Sequence, residues 1–377
     1  MTPPVKMFQV YVPDEADHEV LSTLHSGYIA QGPVVDEFER RFAKIVGNDY
    51  VVSVNSGTSA LHLAYVLAGI KKGDEVISTP MTCTATNLPL VTLGAKIVWA
   101  DVTLTGHINP DDVEQKITKK TKAIVCVDWG GTPCDLDKLR QIADKHGLKL
   151  IEDAAHAQGA RYKGRPVGTF ADYTIFSFQA IKHITTGDGG ALVCLDKADY
   201  ERAKKLRWFG IDRGQGGDSR INQDIEEAGY KFQMNDMAAS IGVAALPHLE
   251  DVVNSHRLIA DIYIEKLDRD FYRFPNEISY DARSSYWIFT MLLPTPEFRD
   301  KFITSMKGYD VEVSRVHRRN DEYTVFKKFN QGKLPGLDYF GDRMVCLPCH
   351  RGIYPDIAHR IVRLANDFAR WEGRLYI

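Results

Sequence analysis

The chain has 377 residues, of which 44% are apolar and 26% charged, with a net charge of −3 and six cysteines. That length suits two unequal domains, and the composition excludes wholesale disorder. The charge balance argues against a nucleic-acid binder, the lack of an apolar run near ~18 residues against a membrane span, and six cysteines in so long a chain against a disulfide framework. The opening MTPPVKMFQVYVPDEADHE has no secretory apolar run, so a cytoplasmic protein is expected.

From about residue 50 to 210, short Val- and Ile-rich runs alternate with helical patterns. Tyr50–Asn55 reads as a strand, and SGTSALHLAYVLAGI behind it as a helix, with Leu61, Ala64, Leu67 and Ala68 at helical spacing. Further strands are expected at Glu75–Thr79, Lys96–Asp101, Lys122–Asp128 and Lys149–Asp153. The last two flank a helix, LDKLRQIADKHG, closed by Gly147. Short continuous apolar runs separated by helices imply a doubly wound α/β layer with parallel crossovers. After Asp153 the pattern changes: strands at Tyr173–Ser177 and Ala191–Leu195 have only a Gly-rich loop between them. Arg207–Gly229 is a polar excursion of the length that ordered functional loops have. Beyond it the order becomes helix, strand, helix, strand, helix, which divides the chain into a large domain, 1–245, and a smaller C-terminal one, 246–377.

Ligands of open α/β sheets bind outside the carboxyl ends of the strands. Three such ends carry unusual residues. Asn55-Ser56-Gly57-Thr58-Ser59 opens a helix, so it is either an anion cup or a plain helix cap. Asp153 ends a strand, and alternation sends it to the face opposite Glu152; the two are not an acid/base pair. Alone, Asp153 is a cap or the partner of a buried cation. Lys182 sits in FSFQAIKHITTGDGG, before a Gly-rich turn. It is either desolvated and nucleophilic or a lysine whose stem is covered while its amine reaches water. A phosphate cup, a carboxylate and a lysine on one sheet edge together fit pyridoxal phosphate.

The stretches SGYIAQGPVVDEFERRFA, NSGTSALHLA, EDAAHAQGA, FSFQAIKHITTGDGG, GYKFQMNDMAASIG and LPCHRG resemble the DegT/DnrJ/EryC1/StrS sugar aminotransferases, from about Gly27 to Gly352. The resemblance implies the aspartate-aminotransferase fold (fold type I): a large, mostly parallel sheet domain and a smaller α+β domain. It makes Lys182 the Schiff-base lysine and Asp153 the pyridinium partner, and sets His156 near the ring hydroxyl. Gly57, Thr58, Ser59 and Ser177 would hold the phosphate. Lys231 stands where the family sends a side chain into the neighbouring subunit's phosphate site, so a homodimer is expected. The implied reaction moves an amino group from L-glutamate to the ketone of a nucleotide-linked keto-sugar.

Some positions depart from the family pattern. Cys83 stands where many relatives place an aromatic ring over the cofactor. VSRVHRRND replaces a Tyr- and His-bearing run with Arg315, Arg318 and Arg319, which suit phosphate or carboxylate and leave open a small phosphorylated ketone as acceptor. Certain relatives use a histidine in place of the lysine for sugar dehydration, and His183 adjoins Lys182. A non-catalytic cofactor-binding protein is a further alternative. Cys346-Leu347-Pro348-Cys349-His350 matches a haem-attachment pattern, but it closes an apolar run and has no second cysteine pair for zinc. His350 is its informative member, because relatives carry such a histidine near the substrate pocket.

Overall fold

In the computed structural model residues 4–215, 221–275 and 278–373 are described. Seven strands form the central sheet: β1 (Val51–Val54), β2 (Glu75–Ser78), β3 (Lys96–Trp99), β4 (Thr121–Val127), β5 (Lys149–Asp153), β6 (Tyr173–Ser177) and β7 (Gly190–Cys194). Across the sheet they run β1-β7-β6-β5-β4-β2-β3. Every neighbour is parallel except β7, which is antiparallel to both β1 and β6. The antiparallel return fits the absence of a helix between β6 and β7. β1, β2, β6 and β7 are buried at every residue. Helices cover both faces, so these strands read as unbroken apolar runs instead of alternating ones. β5 and β6 have the expected bounds; the other five strands stop one or two residues before the expected C-terminal end, and β4 and β7 begin one residue early.

The helix Leu136–His146 buries Leu136, Leu139, Ile142 and Ala143, and Gly147 ends it in the left-handed conformation at φ 63°. The helix Pro33–Val46 is capped from far along the chain. Buried Asp236 accepts the N–H groups of Gly32 (2.7 Å), Val35 (3.1 Å) and Val34 (3.3 Å). A carboxylate there satisfies orphan donors and favours the positive end of the helix dipole.

Beyond residue 246 lie the helices Leu249–Lys266, Pro296–Gly308, Pro335–Arg343 and Pro355–Gly373 and the strands Phe289–Leu292 and Met344–Leu347, which pair antiparallel. The expected order is present, with Pro335–Arg343 added. Phe289, Phe298, Phe302, Tyr263, Tyr272 and Ile361 build a core here that also takes in Val5. The helix Leu249–Lys266 joins the two parts of the packing. Leu249, Val252 and Val253 belong to the cluster around Phe38 and Phe178, whereas Ile259, Ala260 and Tyr263 belong to the C-terminal core. In the polar excursion, Arg213–Gln215 forms a short 3-10 turn and Glu227 pairs with Arg202 at 2.7 Å. The stretch 216–220 of that excursion lies outside the described residues.

Candidate active site

The expected anion cup lies where β1 hands over to the helix Gly57–Leu67. Ser56 caps that helix, its Oγ accepting from Ser59 N–H at 3.1 Å, while Ser59 Oγ donates to Asn55 Oδ1 at 2.7 Å. Gly57 and Thr58 N–H groups lie in the first turn, where no carbonyl of the helix reaches them. Ser177, the last residue of β6, closes on this turn: a Cβ at Gly57 would come within 3.1 Å of Ser177 Cβ. A Cβ at Gly190 would lie 2.5 Å from Gly57 N. Both glycines are therefore needed for the β6–β7 edge to approach the helix N-terminus.

Asp153 ends β5, the central strand of the seven, and its carboxylate is buried. Thr86 Oγ1 donates to its Oδ2 at 2.7 Å and Ala155 N–H to its Oδ1 at 3.2 Å. Burial raises the Asp153 pKa, while those two donors and the charge of Lys182 pull it back. Glu152 faces the other side of the sheet, accepting from Thr174 Oγ1 at 2.9 Å beside Asp128, and burial raises both of these acids. The alternation argument thus holds at this strand end.

Lys182 lies in the turn after β6, its side chain half-buried and its amine surrounded by protein. The Nζ sits 3.5 Å from the centroid of the Trp287 indole. Desolvation brings the amine down to about 7, against the opposing pull of Cys83 and Asp153. Near neutral pH a large share of this amine is unprotonated and nucleophilic. His156 is buried and stacks on Trp287 at 3.9 Å and 22°. Its Nδ1 is buried with no hydrogen-bond partner among the described residues. Cys83 is half-buried at the head of the helix Thr84–Thr92, which carries Thr86.

Other expected residues lie elsewhere. Lys231 is exposed on the same edge as the cup: its carbonyl accepts from Asn55 Nδ2 at 3.3 Å, but its Nζ lies over the Phe209 ring at 5.5 Å. His183 is turned away from Lys182, with Nε2 on Ser285 O at 2.9 Å and its ring against His256. Two of the three arginines are engaged within the chain. Arg318 pairs with Glu322 at 2.6 Å, and Arg319 with Asp321 at 2.7 Å and also with Asp338. Arg315 keeps a buried Nε without a partner among the described residues. Cys346 and Cys349 are free, buried thiols whose pKa values desolvation pushes well up, which leaves them inert. His350 lines a cavity of about 170 Å³ with Phe8, Lys182 and Trp287.

Sequence reasoning passed over several residues that line or brace this site. Gly190 stood in a quoted motif without a role. Trp287 stood in an apolar run that reads as strand. Thr86 and Asn320 belong to one buried polar network: Thr82 Oγ1 meets Thr86 Oγ1 at 2.7 Å, and Asn320 Nδ2 donates to Thr82 O at 2.7 Å. His317 lies parallel to His156, with ring centroids 5.6 Å apart.

These residues fit pyridoxal phosphate. The amine is partly neutral near pH 7, the acid is fixed by two donors, an imidazole nitrogen lacks a partner among the described residues, and an N–H-lined cradle lies on the same sheet edge. Fold and site together define a fold-type I pyridoxal-phosphate enzyme. The chain belongs to the DegT/DnrJ/EryC1/StrS aminotransferase family, whose sequence profile matches residues 11–365. It is an aminotransferase with pyridoxal phosphate as cofactor. It is 37% identical to the GDP-perosamine synthase of Escherichia coli O157:H7, over 97% of this chain and 99% of that protein. It is 32% identical to the UDP-4-amino-4,6-dideoxy-N-acetyl-beta-L-altrosamine transaminase of Campylobacter jejuni, over 90% of each. The sugar aminotransferase CalS13 from Micromonospora echinospora superposes with a TM-score of 0.91 at 33% identity, covering 96% of this chain and 99% of that one.

Proposed function

We propose that this enzyme moves an amino group from L-glutamate to the ketone of a nucleotide-linked keto-sugar, with Lys182 and Asp153 as its catalytic residues. The observation that carries the catalytic assignment is the Lys182 amine, brought down to about 7 within reach of the Asp153 charge. The acceptor class rests on the GDP- and UDP-linked sugars for which the two relatives are named. When bound, pyridoxal phosphate supplies an aldehyde for amine exchange and a ring that takes up electrons from the broken Cα–H bond. Lys182 Nζ is the base at the donor's Cα and the acid at the acceptor's carbonyl carbon. Asp153 would hold the ring nitrogen's proton, and His156 would meet the ring hydroxyl. The N–H groups and hydroxyls of Gly57, Thr58, Ser59 and Ser177 would take the phosphate. Cys83 would border the ring.

The division into residues 1–245 and 246–377 belongs to this reading. So does a reducing, cytoplasmic setting, which suits six free cysteines. The test is spectroscopic. The loaded enzyme is expected to lose its absorbance near the visible edge on L-glutamate and regain it on a UDP- or GDP-linked keto-hexose. Persistence of the band with every amino acid sinks the donor half. Recovery only with a small phosphorylated ketone sinks the acceptor class.

A homodimer completes the phosphate site in the same reading. A phosphate carries nearly two charges and a helix N-terminus supplies about half of one. Exposed Lys231, with no acidic partner within salt-bridge distance among the described residues, is the cation offered to a second copy. Chains carrying Lys182→Ala and chains carrying Lys231→Ala are each expected to be impaired. Mixed with free subunit exchange, they should recover about a quarter of wild-type activity, since half of each heterodimer is intact. No recovery despite demonstrated exchange would place Lys231 outside the partner's site.

A further inference from the structure

We propose that His317 binds the acceptor sugar, its Nε2 edge forming a hydrogen bond with a hydroxyl or with the carbonyl oxygen, and so helps set acceptor specificity. This deepens the sugar-aminotransferase reading and rests on it. Four observations lead here. The ring is held by three others: parallel to His156 at 5.6 Å and 7°, edge-on to Trp129 at 5.8 Å, and stacked at 6.3 Å on Trp287, the indole that carries the Lys182 amine. Its Nε2 is buried with no partner among the described residues. A residue kept only to pack against aromatic rings would be cheaper as phenylalanine, because an unmatched buried nitrogen is destabilising.

The backbone that presents it is strained. Val316, a β-branched residue, sits at φ 59°, and His317 N–H donates to Arg315 O at 2.6 Å across it. Such tight three-residue turns are rare and persist where the surroundings over-determine them. Both flanks are fixed. Ser314 exchanges backbone hydrogen bonds with Cys346, and its Oγ accepts from Val316 N–H at 3.1 Å. Buried Asn320 accepts from Asn87 Nδ2 at 3.0 Å and donates to Thr82 O. The turn is thereby tied to the segment carrying Cys83 and Thr86.

The chemistry of the group narrows its ligand. Burial and the Lys182 charge bring the His317 pKa down to about 4, so the ring is neutral at working pH. A neutral imidazole does not balance a phosphate or carboxylate; one nitrogen donates and the other accepts, which suits a hydroxyl or a ketone oxygen.

The experiment separates the two half-reactions in His317→Leu and His317→Gln enzymes. Affinity of the apoprotein for pyridoxal phosphate, by fluorescence titration, and the glutamate half-reaction should stay within about twofold of wild type. The kcat/KM for whichever UDP- or GDP-linked keto-hexose serves wild type best should fall about 10- to 100-fold in His317→Leu. His317→Gln, whose amide can still bond, should recover part of that loss. It also carries the test should the leucine variant melt early. Equal loss in both half-reactions, or weakened cofactor binding, would make His317 a support for the cofactor and overturn the proposal. So would an unchanged kcat/KM. A wild-type enzyme that responds to glutamate but accepts none of the keto-sugars sinks the acceptor class itself. A working wild type with a silent His317 sinks this proposal alone.

Discussion

Lys182→Ala is expected to abolish transamination, with a fall of at least about 10⁴-fold, because the proposed function gives this one side chain both the covalent anchor and the proton carrier. The fold should survive. The side chain is half-buried, and its contact with the Trp287 ring is of a kind worth about 0.5–2 kcal/mol. Lys182→Arg should not rescue, since a guanidinium stays protonated and cannot attack an aldehyde. The lowered pKa adds a pH signature. Below about 7 the amine carries its proton and is not a nucleophile; above it the free amine dominates. The rate at which wild-type apoprotein captures pyridoxal phosphate should therefore climb through about pH 7. An unperturbed lysine would place that rise near its ordinary 10.5. Stopped-flow absorbance across pH 5.5–9 measures it. Near-normal turnover in Lys182→Ala would remove Lys182 from the reaction, and a rise only at alkaline pH would remove the desolvated amine.

What the sequence made legible is local. A strand, a Ser-Gly-Thr-Ser turn and a helix are contiguous, so the cup at Gly57, Thr58 and Ser59 could be read from residues a few positions apart. Period-two alternation alone assigned Asp153 and Glu152 to opposite faces, and their hydrogen bonds to Thr86 and Thr174 bear this out. Lys182 was marked by its place before a Gly-rich turn. The rest of the site arrives through tertiary contact, which periodicity does not encode. Trp287 and His317 come more than a hundred residues after Lys182, and Trp287 looks like any core aromatic in SSYWIFTMLLP. In VSRVHRRND the three arginines were the conspicuous residues, yet Arg318 and Arg319 are held by acids that follow them, and His317, just before Arg318, packs against His156. The role of Gly190 depends on how closely two chain segments approach, which only the folded chain reveals.

Asp153→Asn is expected to lower kcat by about 10²- to 10³-fold, the scale of losing one preorganised charge from a dry site. In the proposed role an amide would still meet the cofactor's ring nitrogen, but it would have no negative charge to keep a proton there. The stability of the apoprotein should move the other way or not at all. Burial raises the Asp153 pKa, so the folded state holds this proton more tightly than the unfolded chain does. The ionised carboxylate is consequently a destabilising feature that grows as pH rises through the folded pKa, and asparagine removes it. The local hydrogen bonds can adapt. The asparagine Oδ1 accepts from Ala155 N–H, its Nδ2 donates to Thr86 Oγ1, and the Thr86 hydroxyl turns to donate to Thr82 Oγ1, 2.7 Å away. Asp153→Ala lets the Thr86 hydroxyl turn in the same way but leaves the part-buried Ala155 N–H without its acceptor and the carboxylate's space unfilled, at a cost of about 1–3 kcal/mol. The two variants should therefore be similarly slow, while only alanine lowers the melting temperature at pH 7–8. Wild-type kinetics in Asp153→Asn would assign the ring nitrogen to another acid. An asparagine variant that melts as early as the alanine one would mean that the Thr82–Thr86 pair cannot reverse its hydrogen bonds and that the carboxylate's role is as much structural as electronic.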